Sequence, residues 1–157
     1  MTMKRLMLVC VMMLLVCLCL SGCNLSAIMK PIPAGYINKD EHFDPNGFQD
    51  YTDYCKYQYA SAEPFRRDTR YHVITEDEKD DIYGYFVNFR GWMATAERLD
   101  EYDFSPTCIS VGDYVLIETK EGQPIGSGGR QYGKYDNYSV YFFDTESLTL
   151  YYIHNNI

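Results

Sequence analysis

The sequence predicts an α+β domain, with one or two helices packed on an antiparallel sheet of about three to four strands. A capping-box pattern at Thr75 opens a long amphipathic segment. Strand-like runs follow Pro106 and close on a short polar turn, Asp144-Thr145-Glu146-Ser147. Helical signals thus precede strand signals, an order that places helices against one face of an antiparallel sheet.

Taken in order, residues 24–42 hold Pro31, Pro33 and Gly35 without periodicity and read as a tether. Asp44-Pro45 then reads as an N-cap followed by proline at the first helical position. Phe48, Tyr51, Cys55 and Tyr59 would share one face of that helix, although alternating Cys55, Tyr57 and Tyr59 also permit a strand. Glu63 to Arg70 reads as a polar loop, and Tyr71 to Ile74 as an extended approach to the next helix. In Thr75-Glu76-Asp77-Glu78, threonine caps and the glutamate three residues later reciprocates. Ile82, Tyr85, Phe86, Phe89, Trp92, Met93, Ala96 and Leu99 then fall on one helical arc, with Gly84, Asn88 and Gly91 opposite. Tyr114–Thr119, Tyr138–Phe143 and Leu148–His154 are the expected strands, the last two joined as a hairpin. No internal repeat is present. This order resembles small helix-on-curved-sheet folds of the cystatin or nuclear-transport-factor-2 type, a likeness of shape that implies no activity.

The N-terminus carries the most specific signal. Lys4 and Arg5 precede an unbroken apolar run, Leu6 to Leu20, of about 22 Å as a helix. That is short for a bilayer core of about 30 Å. Leu20-Ser21-Gly22-Cys23 follows, with small residues immediately before a cysteine. The segment resembles a bacterial lipoprotein signal peptide. The resemblance implies cleavage before Cys23, a diacylglyceryl group on its thiol, and attachment to the extracytoplasmic face of the cell membrane. The outer membrane is the alternative in a double-membraned bacterium, since Asn24 is not the aspartate of inner-membrane retention. An uncleaved, tilted anchor over Leu6–Met29 is the competing topology, and Lys4 and Arg5 keep the N-terminus cytoplasmic in either case. The expected organisation is a signal peptide over 1–22, a lipidated cysteine and tether over 23–43, and one globular domain over 44–157. The resemblance ends there: the body matches no characterised family.

Charge and cysteine content bound the rest. The chain carries 14 Lys and Arg against 22 Asp and Glu, a net charge of −8. Removing Lys4 and Arg5 with the signal deepens the imbalance. Such a body lacks the basic footprint of nucleic-acid binding and the cationic face that adheres to anionic lipid. Of six cysteines, Cys10, Cys17 and Cys19 lie in the signal and Cys23 accepts lipid, leaving Cys55 and Cys108. Outside the cytoplasm this pair is expected as a disulfide, which would stabilise the fold by roughly 4 kcal/mol, with two buried free thiols the alternative. Sixteen tyrosines, eight phenylalanines and one tryptophan all lie from Tyr36 onward. They supply either a large aromatic core or an aromatic binding face.

Catalytic signals are absent. Gly128 to Lys134 meets the glycine and lysine positions of a phosphate loop, but Tyr135 stands where serine or threonine should bind magnesium. Residues 123–136 instead read as a glycine-rich connection presenting Arg130, Tyr132, Lys134 and Tyr135 to a ligand or partner. Glu97, Asp100, Glu101 and Asp103 form an acidic group suited to a solvated surface or a basic partner. His42, His72 and His154 match no metal-ligand spacing, and Ser127 lacks the first glycine of a nucleophile turn. Arg66, Arg67 and Arg70 suit salt bridges better than an anion site. No cofactor or metal is expected. The sequence therefore points to a non-enzymatic, membrane-anchored module that binds an envelope protein, a peptide or a glycan. The alternatives are an inhibitor or immunity-type lipoprotein, and then a small envelope hydrolase.

Overall fold

The computed structural model describes residues 31–45 and 51–156, so the expectations placed on the signal segment and Cys23 lie outside the described residues. Six strands make one antiparallel sheet: β1 (Tyr36–His42), β2 (Tyr51–Tyr59), β3 (His72–Val73), β4 (Tyr114–Thr119), β7 (Asn137–Asp144) and β8 (Thr149–Asn156). Their order across the sheet is β1-β2-β8-β7-β4-β3. Two short strands, β5 (Pro124–Ile125) and β6 (Arg130–Gln131), pair separately as a hairpin. A short helix α1 (Glu63–Arg67) and a long helix α2 (Lys79–Thr95), entered through a 3₁₀ turn over Glu76–Glu78, complete the α+β fold. Among the described residues no helix is long and apolar enough to cross a membrane.

Three expectations need correction, and the sheet is larger than anticipated. The segment read as tether already contains β1. Five of its seven residues are exposed and Lys39, Asp40 and Glu41 are charged, because an edge strand with a single neighbour needs no apolar alternation and is protected by charge. The helix expected after Asp44 is instead strand β2. That strand lies between β1 and β8, so the alternation of Cys55, Tyr57 and Tyr59 outweighs the proline-cap signal. The polar loop at Glu63 contains α1, with proline in its first turn and an Arg67–Glu63 contact of 2.8 Å one turn apart.

The helix at Thr75 follows the sequence closely. Glu78 accepts hydrogen bonds from the Thr75 backbone N–H (3.0 Å) and hydroxyl (2.7 Å). Ile82, Tyr85, Phe86, Phe89 and Met93 are buried against Tyr54, Val115, Tyr138, Val140, Phe142 and Ile153 of the sheet. The expected arc stops at Met93: Trp92 is only half-buried, while Ala96 and Leu99 are exposed. The helix ends at Thr95 in a Schellman turn, in which Arg98 N–H donates to Met93 O (2.8 Å) and Glu97 N–H to Ala94 O (3.2 Å). Glu97 takes the left-handed position at φ 58°.

Gly84 is explained by the loop that crosses it. A β-carbon there would lie 2.6 Å from the Tyr135 hydroxyl, whose ring packs edge-on against Tyr85 at 5.2 Å.

The opposite sheet face is also aromatic. Phe65 of α1 stacks on Phe143 at 3.8 Å and meets Tyr59 and Tyr71 edge-on. Tyr141 stacks on Tyr152 at 4.7 Å. Tyrosine hydroxyls on this face find acceptors: Tyr59 donates to Pro33 O (2.6 Å) and Tyr57 to Glu41 (2.7 Å). Nine of the tyrosines are buried, so most of the aromatic content is core rather than binding face.

The sheet also separates the two cysteines. Cys55 lies opposite Tyr152, on the face away from α2, and is fully buried. Cys108 packs against the α2-side core. Alternation along β2 sends Tyr54 to the α2 side and Cys55 to the other, away from Cys108. The expected Cys55–Cys108 disulfide is not seen in this structure. Burial, with Asp144 and Asp113 nearby, pushes the Cys108 thiol up to about 12.

Candidate functional site

At the end of α2 the chain doubles back over the β1–β2 edge, and Arg98 holds this return in place. Its guanidinium donates to Glu101 (2.6 and 2.9 Å), to Thr52 O (2.8 Å) and to His42 O (3.2 Å). Asp44 stands 3.5 Å away. The helix terminus is thereby tied to both strands of the hairpin, and Asp103 is brought over the sheet.

An open cleft of about 330 Å³ results, on the α2 side of the sheet between β1, β2, β8 and the 102–104 segment. Its lining is set by strand alternation: Asn38 and Asp40 from β1, Lys56 and Gln58 from β2, and Thr149 and Tyr151 from β8. Lys56 donates to Asp103 (2.6 Å) and pairs with Asp40 (3.2 Å). Tyr54 donates its hydroxyl to the other Asp103 oxygen at 2.6 Å. His42 Nε2 is 3.0 Å from Asp40, and its ring stacks on Tyr54. The Gln58 amide donates to Ser147 O (2.7 Å) and accepts from the Thr149 hydroxyl (3.0 Å), which fixes one wall.

The network sets the charges. A hydrogen bond from Lys56 holds the Asp40 carboxyl below the usual range. Burial works against the Asp103 charge, yet hydrogen bonds from Lys56 and Tyr54 outweigh it and lower that carboxyl too. Lys56 is raised: burial opposes its charge, and the two carboxylates more than compensate. Burial and the adjacent Asp103 push the Tyr54 phenol up and keep it a neutral donor.

The contact residues expected from the sequence divide into two groups. Lys134 pairs with Asp81 of α2 and lies 5.5 Å from the centroids of both the Tyr85 and Tyr135 rings. Tyr135 packs on the core. These two fasten the loop to α2. Arg130 on β6 remains exposed, and Tyr132 sits under the Lys120 ammonium at 5.7 Å. The acidic group also divides: Glu101 pairs with Arg98, Asp103 enters the cleft, and Glu97 forms the helix turn.

Ser127 is exposed in the β5–β6 connection, away from any described histidine contact. The structure instead brings Ser139 Oγ within 2.9 Å of His154 Nδ1. Sequence reading missed this pair because the register depends on the turn. The strands as drawn from the sequence would set Phe143 opposite Leu148, whereas the sheet pairs Asp144 with Thr149 and so Ser139 with His154. Ser139 lies mid-strand between β4 and β8, where pairing on both sides engages the backbone N–H groups. A wider groove of mixed character, about 750 Å³, runs along the outer side of α2, with Tyr83, Val87, Leu99 and Phe104 beside Arg90 and Ser105. Among the described residues no three His, Cys, Asp or Glu side chains are grouped to hold a metal ion. No protein-family model, curated protein or solved structure is similar to this chain.

Proposed function

We propose that this chain is a lipid-anchored extracytoplasmic protein that binds an envelope component and performs no chemistry on it. The lipoprotein-like signal ending at Cys23 supports the location. Two or more acyl chains on that cysteine would give durable anchoring, which a single chain does not. The observation that carries the binding reading is the polar cleft. Its donors and acceptors are held by Arg98 and by the β1–β2–β8 register, and its Asp40 side chain is about half exposed. Such a preorganised, solvent-facing set suits recognition.

The Ser139–His154 contact gives little support to a hydrolase, since ladder pairing on both sides of the strand engages the backbone N–H groups that commonly form an oxyanion site. The groove along α2 favours a second reading, an inhibitor or immunity-type lipoprotein that docks a protein there. Tyr83, Val87 and Leu99 are each more than two-fifths exposed. Crosslinking in intact cells, with mass-spectrometric identification of captured species, separates the two. Capture of envelope glycan supports the first reading. One stoichiometric protein partner that is lost on Val87→Lys overturns it in favour of the second.

A further inference from the structure

The geometry points to the β1–β2–β8 cleft as a site for one neutral sugar unit of a glycan. This rests on the binding reading above and adds the ligand's chemistry.

Charge supplies the first argument. Three charged side chains face the cleft, Asp40, Lys56 and Asp103, with Lys56 bridging both carboxylates, whereas Lys39 turns to the other sheet face and pairs with Glu41. An anionic ligand would meet two carboxylates held firmly ionised by Lys56. A cationic ligand would meet the Lys56 ammonium, which both carboxylates already use. A neutral ligand rich in hydroxyls avoids both conflicts.

Hydrogen-bonding capacity supplies the second. A carboxylate offers about four lone-pair sites, and here only some are engaged by Lys56, Tyr54 and His42. The remainder accept from hydroxyl groups, while Asn38 can donate and accept at once. Vicinal hydroxyls of a sugar match such planar groups.

Shape supplies the third. Tyr151 lines the cleft beside Lys56, its cross-strand partner. Phe142 stacks on it from the β7 side at 6.1 Å, and Phe104 packs edge-on at 4.7 Å. The ring is fixed, and its cleft side can receive the C–H face of a pyranose. At about 330 Å³ the space lies near the lower limit of ligand sites, roughly 300–1,000 Å³, which suits one sugar ring rather than a folded partner.

The test is binding of the full-length protein, purified in detergent, to an array of neutral oligosaccharides. Oligomers of glucosamine and of galacturonate serve as cationic and anionic counterparts, and hits are quantified by calorimetry. Neutral glycans should bind, with both charged series at least tenfold weaker. Asp40→Ala and Asn38→Ala should each weaken binding by about tenfold, the loss expected for one or two hydrogen bonds. Both positions are solvent-facing, and a thermal melt checks that each variant folds. Val87→Lys, in the α2 groove, should leave binding unchanged. Absence of every neutral glycan signal overturns the assignment, as does a preference for either charged series or full retention of binding in both cleft variants. None of these failures by itself removes the broader binding reading, which falls if in-cell crosslinking captures nothing, or captures one protein that is lost on Val87→Lys.

Discussion

Glu97 occupies a backbone conformation that favours glycine, at φ 58° in the Schellman turn that ends α2. The left-handed region costs a side-chain-bearing residue roughly 1–2 kcal/mol. Glu97→Gly should therefore stabilise the protein by about 1 kcal/mol, read as a higher urea midpoint at unchanged slope. A lower midpoint would mean that the Glu97 side chain holds the turn. The next residue has the opposite character. Arg98 is about one-eighth exposed and serves acceptors on three segments. Arg98→Ala should cost about 2–3 kcal/mol by leaving those acceptors unpaired. Arg98→Lys should recover little of it, since an ammonium cannot span them. Recovery to wild-type stability in the lysine variant would refute the clamp. The cysteines are inert for a related reason. Cys55 is buried, and little Cys108 thiolate exists at neutral pH when its value lies near 12. A thiol reagent should label neither residue in the folded protein and both after denaturation. A disulfide found by mass spectrometry without reductant would contradict the separation of the two by the sheet.

At the scale of elements, the β1–β2 hairpin and the return segment at 102–104 depend on one another through Lys56. The Asp40 and Asp103 carboxyls are lowered in the folded state from ordinary unfolded values near 4. Their contribution to stability is thus complete above about pH 4 and is lost as pH falls through the lower folded values. Lys56→Met should flatten the acid limb of the stability curve, and an unchanged limb would place the acid sensitivity elsewhere. How far the sequence foretold these elements follows from where their stabilising contacts lie. The α2 cap and the buried stripe from Ile82 to Met93 use contacts within a few residues, and both were legible. The β7–β8 turn was legible too, for Asp144 accepts from Glu146 N–H (2.8 Å) and the Ser147 hydroxyl (2.7 Å). Strand β2 was legible only as the alternative to a helix, because its pairing with distant β8 overrides local preference, and β1 was hidden because its one partner is β2. The cleft was hidden for the same reason: Asp40, Lys56, Asp103 and Tyr151 meet only once the sheet has formed. Lys134 and Tyr135 look like surface residues in sequence and are engaged by α2 in the fold.

For the whole molecule, the proposed lipid on Cys23 would hold above the membrane an acidic body whose charge disfavours collapse onto anionic lipid. Cys23→Ala should abolish both lipid labelling and signal cleavage, moving the protein out of its processed, membrane-bound pool. Processing and attachment that survive the substitution would remove the lipoprotein assignment and leave the uncleaved anchor. The central claim is that the body binds an envelope component through the β1–β2–β8 cleft. The most direct measurement places a photo-crosslinking side chain at Asn38 in the cleft, and separately at Val87 in the α2 groove, in intact cells. The account predicts a glycan adduct from position 38 that disappears with Asp40→Ala. No adduct from position 38, together with a single protein captured from position 87, would contradict it.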